Sequence, residues 1–275
     1  MAVINTNVAA ALTANALTKN ERVLSQSMER LATGSRINNA GDDAAGLAVA
    51  SSMTAQIRGL DMAAKNANDA ISMIQTADGA TIEIGNMLQR MRELAVQAST
   101  GHYVATDLDA LDKEFQELIA EIERVADQTQ FNGTNIIDNT VGTTGTVTFQ
   151  VGADASQTMT VAFGNLQTAG DLLVSALDVD TVANAQTAIT TIDTALTTLN
   201  TQRATYGAAI NRLEFTVDNL NNISTNTQAS RSRIQDADYA SESTALASSQ
   251  IIQQAGTAML AQANQQAQTV LALLK

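Results

Sequence analysis

The run Ala50-Ser51-Ser52-Met53-Thr54-Ala55-Gln56-Ile57-Arg58-Gly59-Leu60-Asp61-Met62-Ala63-Ala64-Lys65-Asn66-Ala67-Asn68-Asp69-Ala70-Ile71-Ser72-Met73-Ile74 decides the fold. Its apolar residues at Ala50, Met53, Ile57, Leu60, Ala64, Ala67, Ile71 and Ile74 fall in alternating steps of three and four. That spacing is the seam of a heptad-type helix packing against a partner helix. Near Ala77 one step of four becomes three, a phase slip that overwinds a coiled coil locally. The seam resumes through Thr81, Ile84, Leu88, Met91, Ala95 and Ala98. Asp42, after Gly41, is the expected N-cap. Residues 44–100 as one helix extend about 85 Å at 1.5 Å per residue.

Working outward, Gly101 ends this helix, and a second begins where Thr106 and Asp109 stand in capping-box spacing, Asp replacing the usual Glu or Gln. Leu108, Leu111, Phe115, Leu118, Ile122 and Val125 repeat the pattern. A third rod is the most regular: Val182, Ala185, Ile189, Ile192, Leu196, Leu199, Arg203, Tyr206, Ile210, Leu213, Val217 and Leu220, with Arg203 the one intruder. Such rods bury their seams on one another in an antiparallel bundle. Residues 139–180 differ, being rich in Thr, Gly and Val without Lys or Arg. Val147, Phe149 and Val151 alternate against Met159, Val161 and Phe163, with Asp154-Ala155-Ser156-Gln157 between, which reads as a β-hairpin. Asn132-Gly133 marks a further tight turn. The expected fold is mainly α: long antiparallel heptad-type helical rods with paired terminal helices and a small β-rich hairpin region in the middle.

Composition agrees and excludes much. The 275 residues contain no Pro, as long unbroken helices require. Aromatics are 3% against 45% apolar residues, so the apolar content is chiefly Ala, Leu, Ile and Val, which suits closely packed helices. With no Cys and one histidine, His102, thiol chemistry, disulfides and His-pair metal helices are excluded. A net charge of −13 argues against nucleic acid. No apolar run approaches membrane-spanning length, so no membrane insertion is expected. The first residues, Met1-Ala2-Val3-Ile4-Asn5-Thr6-Asn7, lack the basic region of a cleaved signal.

The two ends are unusual. No charged side chain precedes Lys19, and none lies between Glu242 and Lys275. Their apolar residues are sparse: Val3, Ile4, Leu12, Leu17, Leu24 and Leu31 at one end, Ile251, Ile252, Met259, Leu260, Val270, Leu271 and Leu274 at the other. A lone helix of this kind is marginal in water. Freedom from charge becomes useful if many copies enclose these helices, because burying unpaired charge is prohibitive. The inference is an elongated subunit whose ends order on assembly. Disordered tails are the competing reading. Membrane-surface helices are disfavoured by polar faces without Lys or Arg.

The run Leu31-Ala32-Thr33-Gly34-Ser35-Arg36-Ile37-Asn38-Asn39-Ala40-Gly41-Asp42-Asp43-Ala44-Ala45-Gly46-Leu47-Ala48 closely resembles the N-terminal signature of bacterial flagellin. Ser232-Arg233-Ile234-Gln235-Asp236-Ala237-Asp238-Tyr239-Ala240, Gln250 through Thr257 and Leu260 through Gln265 resemble its C-terminus. Leu88 through Gln97 and Gln128 through Gly133 are further family-like runs. The likeness covers roughly residues 1–138 and 181–275. It implies a structural, non-enzymatic subunit of the extracellular flagellar filament, exported unfolded by the flagellar type III system. The implied divisions are an N-terminal inner-core helix with connecting loop (1–43), the N-terminal half of the outer core (44–138), a short variable β-rich region (139–180), the C-terminal outer-core helix (181–234) and a C-terminal inner-core helix (235–275). The implied partners are other copies of the chain, an export chaperone, the filament cap and the hook–filament junction proteins. No cofactor is implied. Many flagellins carry Pro near their last turns, where this chain reads Asn264-Gln265-Gln266-Ala267-Gln268, which removes a kink.

Arg90, Leu94 and Glu114 match positions at which stimulatory flagellins contact the vertebrate Toll-like receptor for flagellin, so the monomer is expected to be recognised there. Their ordinary reading is a Leu94 that buries in a contact between subunits, beside two surface charges at Arg90 and Glu114. Asp42-Asp43 and Asp236-Asp238 read as helix caps rather than metal ligands. His102 reads as a solvated loop residue. Asn132-Gly133-Thr134 and Asn222-Ile223-Ser224 match glycosylation acceptors, a pattern common by chance, and residues 140–160 suit surface O-glycosylation better. A hook–filament junction protein, a chemoreceptor cytoplasmic hairpin and a secreted enzyme are the rival classes. Against the last two stand a Gly-rich β tip and the absence of a HExxH motif.

Overall fold

The computed structural model describes residues 7–272. The order of elements is α1 (Val8–Thr33), α2 (Ala44–Ala98), α3 (Ala105–Gln128), β1 (Gln130–Phe131), β2 (Thr134–Asn135), β3 (Thr146–Gln150), β4 (Thr158–Ala162), α4 (Val182–Gln235) and α5 (Tyr239–Ala272). Two compact units result. The first takes the chain up to Ala55 and again from Asn226; the second is Gln56–Thr225. No helix among the described residues is long and apolar enough to cross a membrane.

The second unit is built on the heptad seams. From Ile57 to Ala98 every seam position of α2 is buried or half-buried, and the phase slip at Ala77 leaves that residue fully enclosed. Burial extends to Ala63, Ala70, Met73 and Leu94, wider than a two-position seam. One core cluster draws on α2, α3 and α4 together, so α2 must offer more than a single stripe. On α4, Ala185, Ile192, Leu199, Tyr206, Leu213 and Leu220 recur every seventh residue and are all buried. Arg203 turns outward and pairs with Asp78 at 3.0 Å. Threonines on the solvent side of α4, such as Thr187, Thr194 and Thr201, donate their hydroxyls to the carbonyl one turn back, which satisfies them without leaving the helix.

Two expected caps differ. Asp43, not Asp42, caps α2, accepting from the Gly46 N–H at 2.8 Å. Asp42 instead closes the preceding loop, accepting from the Asn38 and Asn39 N–H groups and from Gln26. Those backbone bonds from Asn39 and Asn38 hold its carboxyl below the ordinary aspartate range. The Thr106–Asp109 capping box does not form. The α3 helix starts one residue before Thr106, with extended Val104 at the N-cap and no side-chain bond there.

The middle region belongs to the second unit's core rather than standing alone. Phe131 and Thr134 pair across Asn132 (φ 51°) and Gly133 (φ 79°), both left-handed as a tight hairpin turn demands. In the longer hairpin Val147 faces Val161 and Phe149 faces Met159, as the alternation predicts. Met159, Val161 and Phe163 are buried in the helical cluster. Three helix side chains fasten this hairpin. Tyr206 donates to the Phe163 carbonyl at 2.6 Å, Gln202 to that of Ala162 at 2.8 Å, and Asn66 to that of Gln150 at 3.1 Å. The turns that follow hang on α3 carboxylates. Glu123 takes the Thr168 N–H at 2.8 Å, and Asp112 takes the Val179 N–H at 3.0 Å.

Candidate functional site

The first unit holds the chargeless ends, and its construction is unlike that of the second. Helices α1 and α5 lie antiparallel, tied at intervals along their length. Asn7 caps α1 by accepting from the Ala10 N–H, and its amide reaches across to the Ala263 carbonyl at 3.1 Å. Leu17 approaches so close to Gly256 that an added Cβ would lie 3.0 Å from its methyl. Buried Asn20 donates to the Ser249 carbonyl at 2.7 Å. Arg30 and Glu242 pair at 2.9 Å with little solvent access. Tyr239 donates to the Leu31 carbonyl at 3.1 Å.

Beyond the end of α1 the register continues in backbone. Gly34 adopts φ 72°, the left-handed cap that a Cβ would strain, and its carbonyl accepts from the Ala237 N–H. Ser35 bridges Asp236, and the Arg36 N–H donates to the Gln235 carbonyl. Asp238 caps α5 by accepting from the Ala240 N–H at 3.0 Å, as expected for that carboxylate. Asp236 accepts instead from the Ser232 hydroxyl, one turn back on α4.

The contact face of this pair is polar and small. Asn20, Ser27 and Ser249 are the buried residues of α1 and α5 among those whose burial is described. The seam was present in the sequence as a seven-residue repeat, Thr13, Asn20, Ser27 and Gly34 against Glu242, Ser249, Gly256 and Ala263. It carries no apolar periodicity. The apolar residues instead face solvent. Leu12 is 65% exposed, Ile251 67%, Ile252 52% and Met259 60%, and Val8 and Val23 are exposed as well. Leu17, Leu24, Leu31 and Leu260 are half-buried along the seam's margin. Val3, Ile4 and Leu274 lie outside the described residues, as do the side chains of Val270 and Leu271.

Charge is divided just as unevenly. The first unit carries seven Lys and Arg against seven Asp and Glu; the second carries eight against twenty-one, the whole −13 of the chain. A neutral helix pair with its apolar side chains outward cannot hide them by itself, and such faces are completed by other molecules.

Of the three residues singled out in the second unit, two meet. Arg90 pairs with Glu114 at 2.8 Å and with Glu93 at 3.0 Å, all on the surface. The hydrogen bonds from Glu114 and Glu93 raise the Arg90 pKa further above its already high value. Leu94 does not join them. It is 1% exposed and packs into the unit's own core, so in the single chain it offers no contact surface. Arg92 pairs with Asp193 at 2.6 Å, linking α2 to α4. His102 sits exposed in the turn after α2, its ring 4.1 Å from that of Tyr103.

Long seam-packed rods, with a terminal-helix pair that is neutral, polar within and apolar without, define a mainly helical structural protein. Comparison with known proteins specifies the class. The bacterial flagellin N-terminal helical region matches residues 4–142, and the bacterial flagellin C-terminal helical region matches residues 189–274. A flagellin of Halalkalibacterium halodurans is 49% identical over 251 residues, covering 91% of each chain. The Bacillus subtilis flagellin is 43% identical over 302 residues, covering 99% of each. The crystal structure of Bacillus cereus flagellin aligns with a TM-score of 0.50 at 40% identity, over 57% of this chain and 88% of that one. The chain belongs to the bacterial flagellin family. It is accordingly a structural subunit of the extracellular flagellar filament and not an enzyme.

Proposed function

We propose that the outward faces of α1 and α5 are the surfaces by which copies of this chain enclose one another in the filament wall. In this reading residues 1–43 and 235–275 form the inner core, 44–138 and 181–234 the outer core, and 139–180 a short variable region. Leu12, Leu17, Leu24, Leu31, Ile251, Ile252, Met259 and Leu260 make the assembly contacts, with Val3, Ile4, Val270, Leu271 and Leu274 extending them. The observation that carries the reading is the inversion within the pair, whose buried face is Asn20, Ser27 and Ser249 while Leu12 and Ile251 stand in solvent. The same inversion suits ends that travel unfolded through the type III channel with a chaperone. They then order only beneath the cap, beyond the hook–filament junction proteins, since a helix pair with a polar seam has little to hold it alone.

Removing residues 245–275 tests this. The truncated chain should remain soluble, keep the helical signal of its second unit and fail to polymerise. Normal filaments from it would refute the assignment. We further propose that free monomer is recognised by the vertebrate Toll-like receptor for flagellin through the exposed Arg90–Glu114 pair, Leu94 acting from beneath by fixing the helix. Arg90→Ala should reduce receptor activation by purified monomer, and unchanged activation would remove this partner.

A further inference from the structure

The ties between α1 and α5 are of two kinds. Asn7 and Asn20 donate to the Ala263 and Ser249 carbonyls, and Tyr239 donates to that of Leu31. Past the end of α1, the Arg36 and Ala237 N–H groups donate to the Gln235 and Gly34 carbonyls. A backbone carbonyl recurs at every residue, so these bonds hold the helices together without deciding which residue meets which. The seam is no more selective. Thr13, Asn20 and Ser27 on one side, with Ser249 and Gly256 on the other, still set small on small after a slip of one seven-residue repeat. Among the described residues only Arg30 and Glu242, 2.9 Å apart, join side chain to side chain across the pair. Their side chains are 23% and 14% exposed, and the Arg30 Nε is enclosed with no acceptor. Glu242 is also the one charged residue of α5.

We infer that the Arg30–Glu242 ion pair is the register lock of the terminal helices, the contact that selects one alignment of α1 on α5 over its one-repeat neighbours. The inference rests on the assembly reading above and deepens it, since alignment decides which outward residues of α1 lie beside which of α5. A slip in one direction sets Arg30 against Ser249; a slip in the other sets Glu242 against Val23. Either strands a largely enclosed charge without its partner, which desolvation penalises. An enclosed ion pair adds little net stability, but a polar contact at one position of a repeating seam fixes register. Arg30 stands in the last turn of α1 and Glu242 in the first turn of α5. The lock therefore engages where the helices first meet, beside the backbone bonds of Gly34 and Arg36, and the chargeless remainder follows in the alignment so set.

The test reads alignment directly, in full-length chains grown on wild-type filament seeds. The protein has no cysteine, so introduced pairs report without background. Ser249→Cys with Asn20→Cys should close a disulfide in the native alignment. Ser249→Cys with Thr13→Cys, or with Ser27→Cys, closes one only after a slip, because one repeat separates the partners by about 10.5 Å along the axis, beyond disulfide reach. After diamide oxidation, the intramolecular bond appears as a faster-migrating monomer on a non-reducing gel. With Arg30 and Glu242 in place, the native pair should close and the slipped pairs should not. Arg30→Ala together with Glu242→Ala strands no charge and keeps the seam small. Slipped bonds should then rise roughly tenfold, the change that about 1.4 kcal/mol of discrimination gives. Glu242→Gln keeps the volume, loses the charge and should raise them as well. A pair that only stabilised the helices would change the critical concentration and leave slipped bonds at background, and that result in both variants overturns the inference. Normal filaments from the chain lacking residues 245–275 would instead overturn the assembly reading, leaving the lock to be judged by the cross-links.

Discussion

Replacing Ile251 by Ala separates the polymer's stability from the monomer's. In the single chain Ile251 is 67% exposed, so truncating it removes little packing. Ala is the better helix former by a few tenths of a kcal/mol, so the isolated α5 should if anything be firmer. In the filament, covering that exposed two-thirds of an Ile side chain stabilises by about 1–2 kcal/mol per subunit, taken from roughly 1.5–3 kcal/mol for full burial. At about 1.4 kcal/mol per decade this is a roughly five- to thirtyfold rise in critical concentration. Seeded polymerisation followed by pelleting measures it directly, as the protein left in the supernatant at equilibrium. Circular dichroism of the unpolymerised protein supplies the control. A critical concentration within twofold of wild type would refute the reasoning. So would a monomer that loses helix to match the polymer's loss, since Ile251 would then have been holding the pair together.

Three further outcomes follow from the second unit. Tyr206→Phe orphans the buried Phe163 carbonyl and should cost about 1–3 kcal/mol, read as a lower thermal midpoint. Burial raises the Tyr206 pKa above its ordinary value. Its neutral form therefore stabilises the fold fully below about pH 10, and the benefit declines as pH climbs beyond that and the unfolded chain ionises. Alkaline melts of Tyr206→Phe should lack this component, and a parallel decline in both proteins would contradict it. Asp138 is desolvated, but the bonds it accepts from the Thr140 side chain and N–H and from Asn135 outweigh that and lower its pKa. Its contribution is present above the ordinary carboxylate range and lost as pH falls through the lowered value, so Asp138→Asn should flatten the acid limb of the stability curve. Finally, polymerisation should accelerate with added salt, measured by light scattering, and a rate indifferent to ionic strength would count against charge repulsion as the brake.

The rods were legible in the sequence because their seams are written in residues that bury area. Ile57, Ile74, Ile84 and Leu88 on α2, and Ile192, Leu199 and Leu213 on α4, repeat with a period that no loop would keep. The hairpin was equally plain in the alternation around Val147 and Val161. The α1–α5 seam was not, since hydrogen bonds from Asn20 and close approach at Gly256 leave no hydrophobic period to detect. The capping errors have a simpler cause. Asp42 and Asp43 are adjacent carboxylates, and only the backbone path of Asn38 and Asn39 decides which one the helix receives. Leu94 was harder still: α2 packs on a broader face than two seam positions, and how broad depends on where α3 and α4 lie.

The division of charge joins these observations into one physical argument. Were the −13 spread evenly, the surfaces that must close on neighbouring copies would each carry carboxylates, and every contact would require desolvating them without partners. In this chain the terminal unit balances seven charges with seven, while the surplus stands on the other unit. If α1 and α5 make the assembly contacts proposed above, solubility of the free subunit rests chiefly on the second unit and these contacts lie on the neutral one. On that proposal the apolar faces of α1 and α5 can remain thin, because a polymer repeats each small contact along its whole length. The repulsion should then set a threshold: below a given ionic strength or concentration it outweighs those contacts, and above it they prevail. Reversing the balance should move that threshold predictably. Neutralising exposed carboxylates of the second unit, for example with Glu117→Gln and Glu214→Gln together, should lower the salt needed for assembly while leaving the α1–α5 contacts untouched. If the salt requirement stayed fixed, the brake would have to lie in the terminal helices themselves rather than in the charge around them.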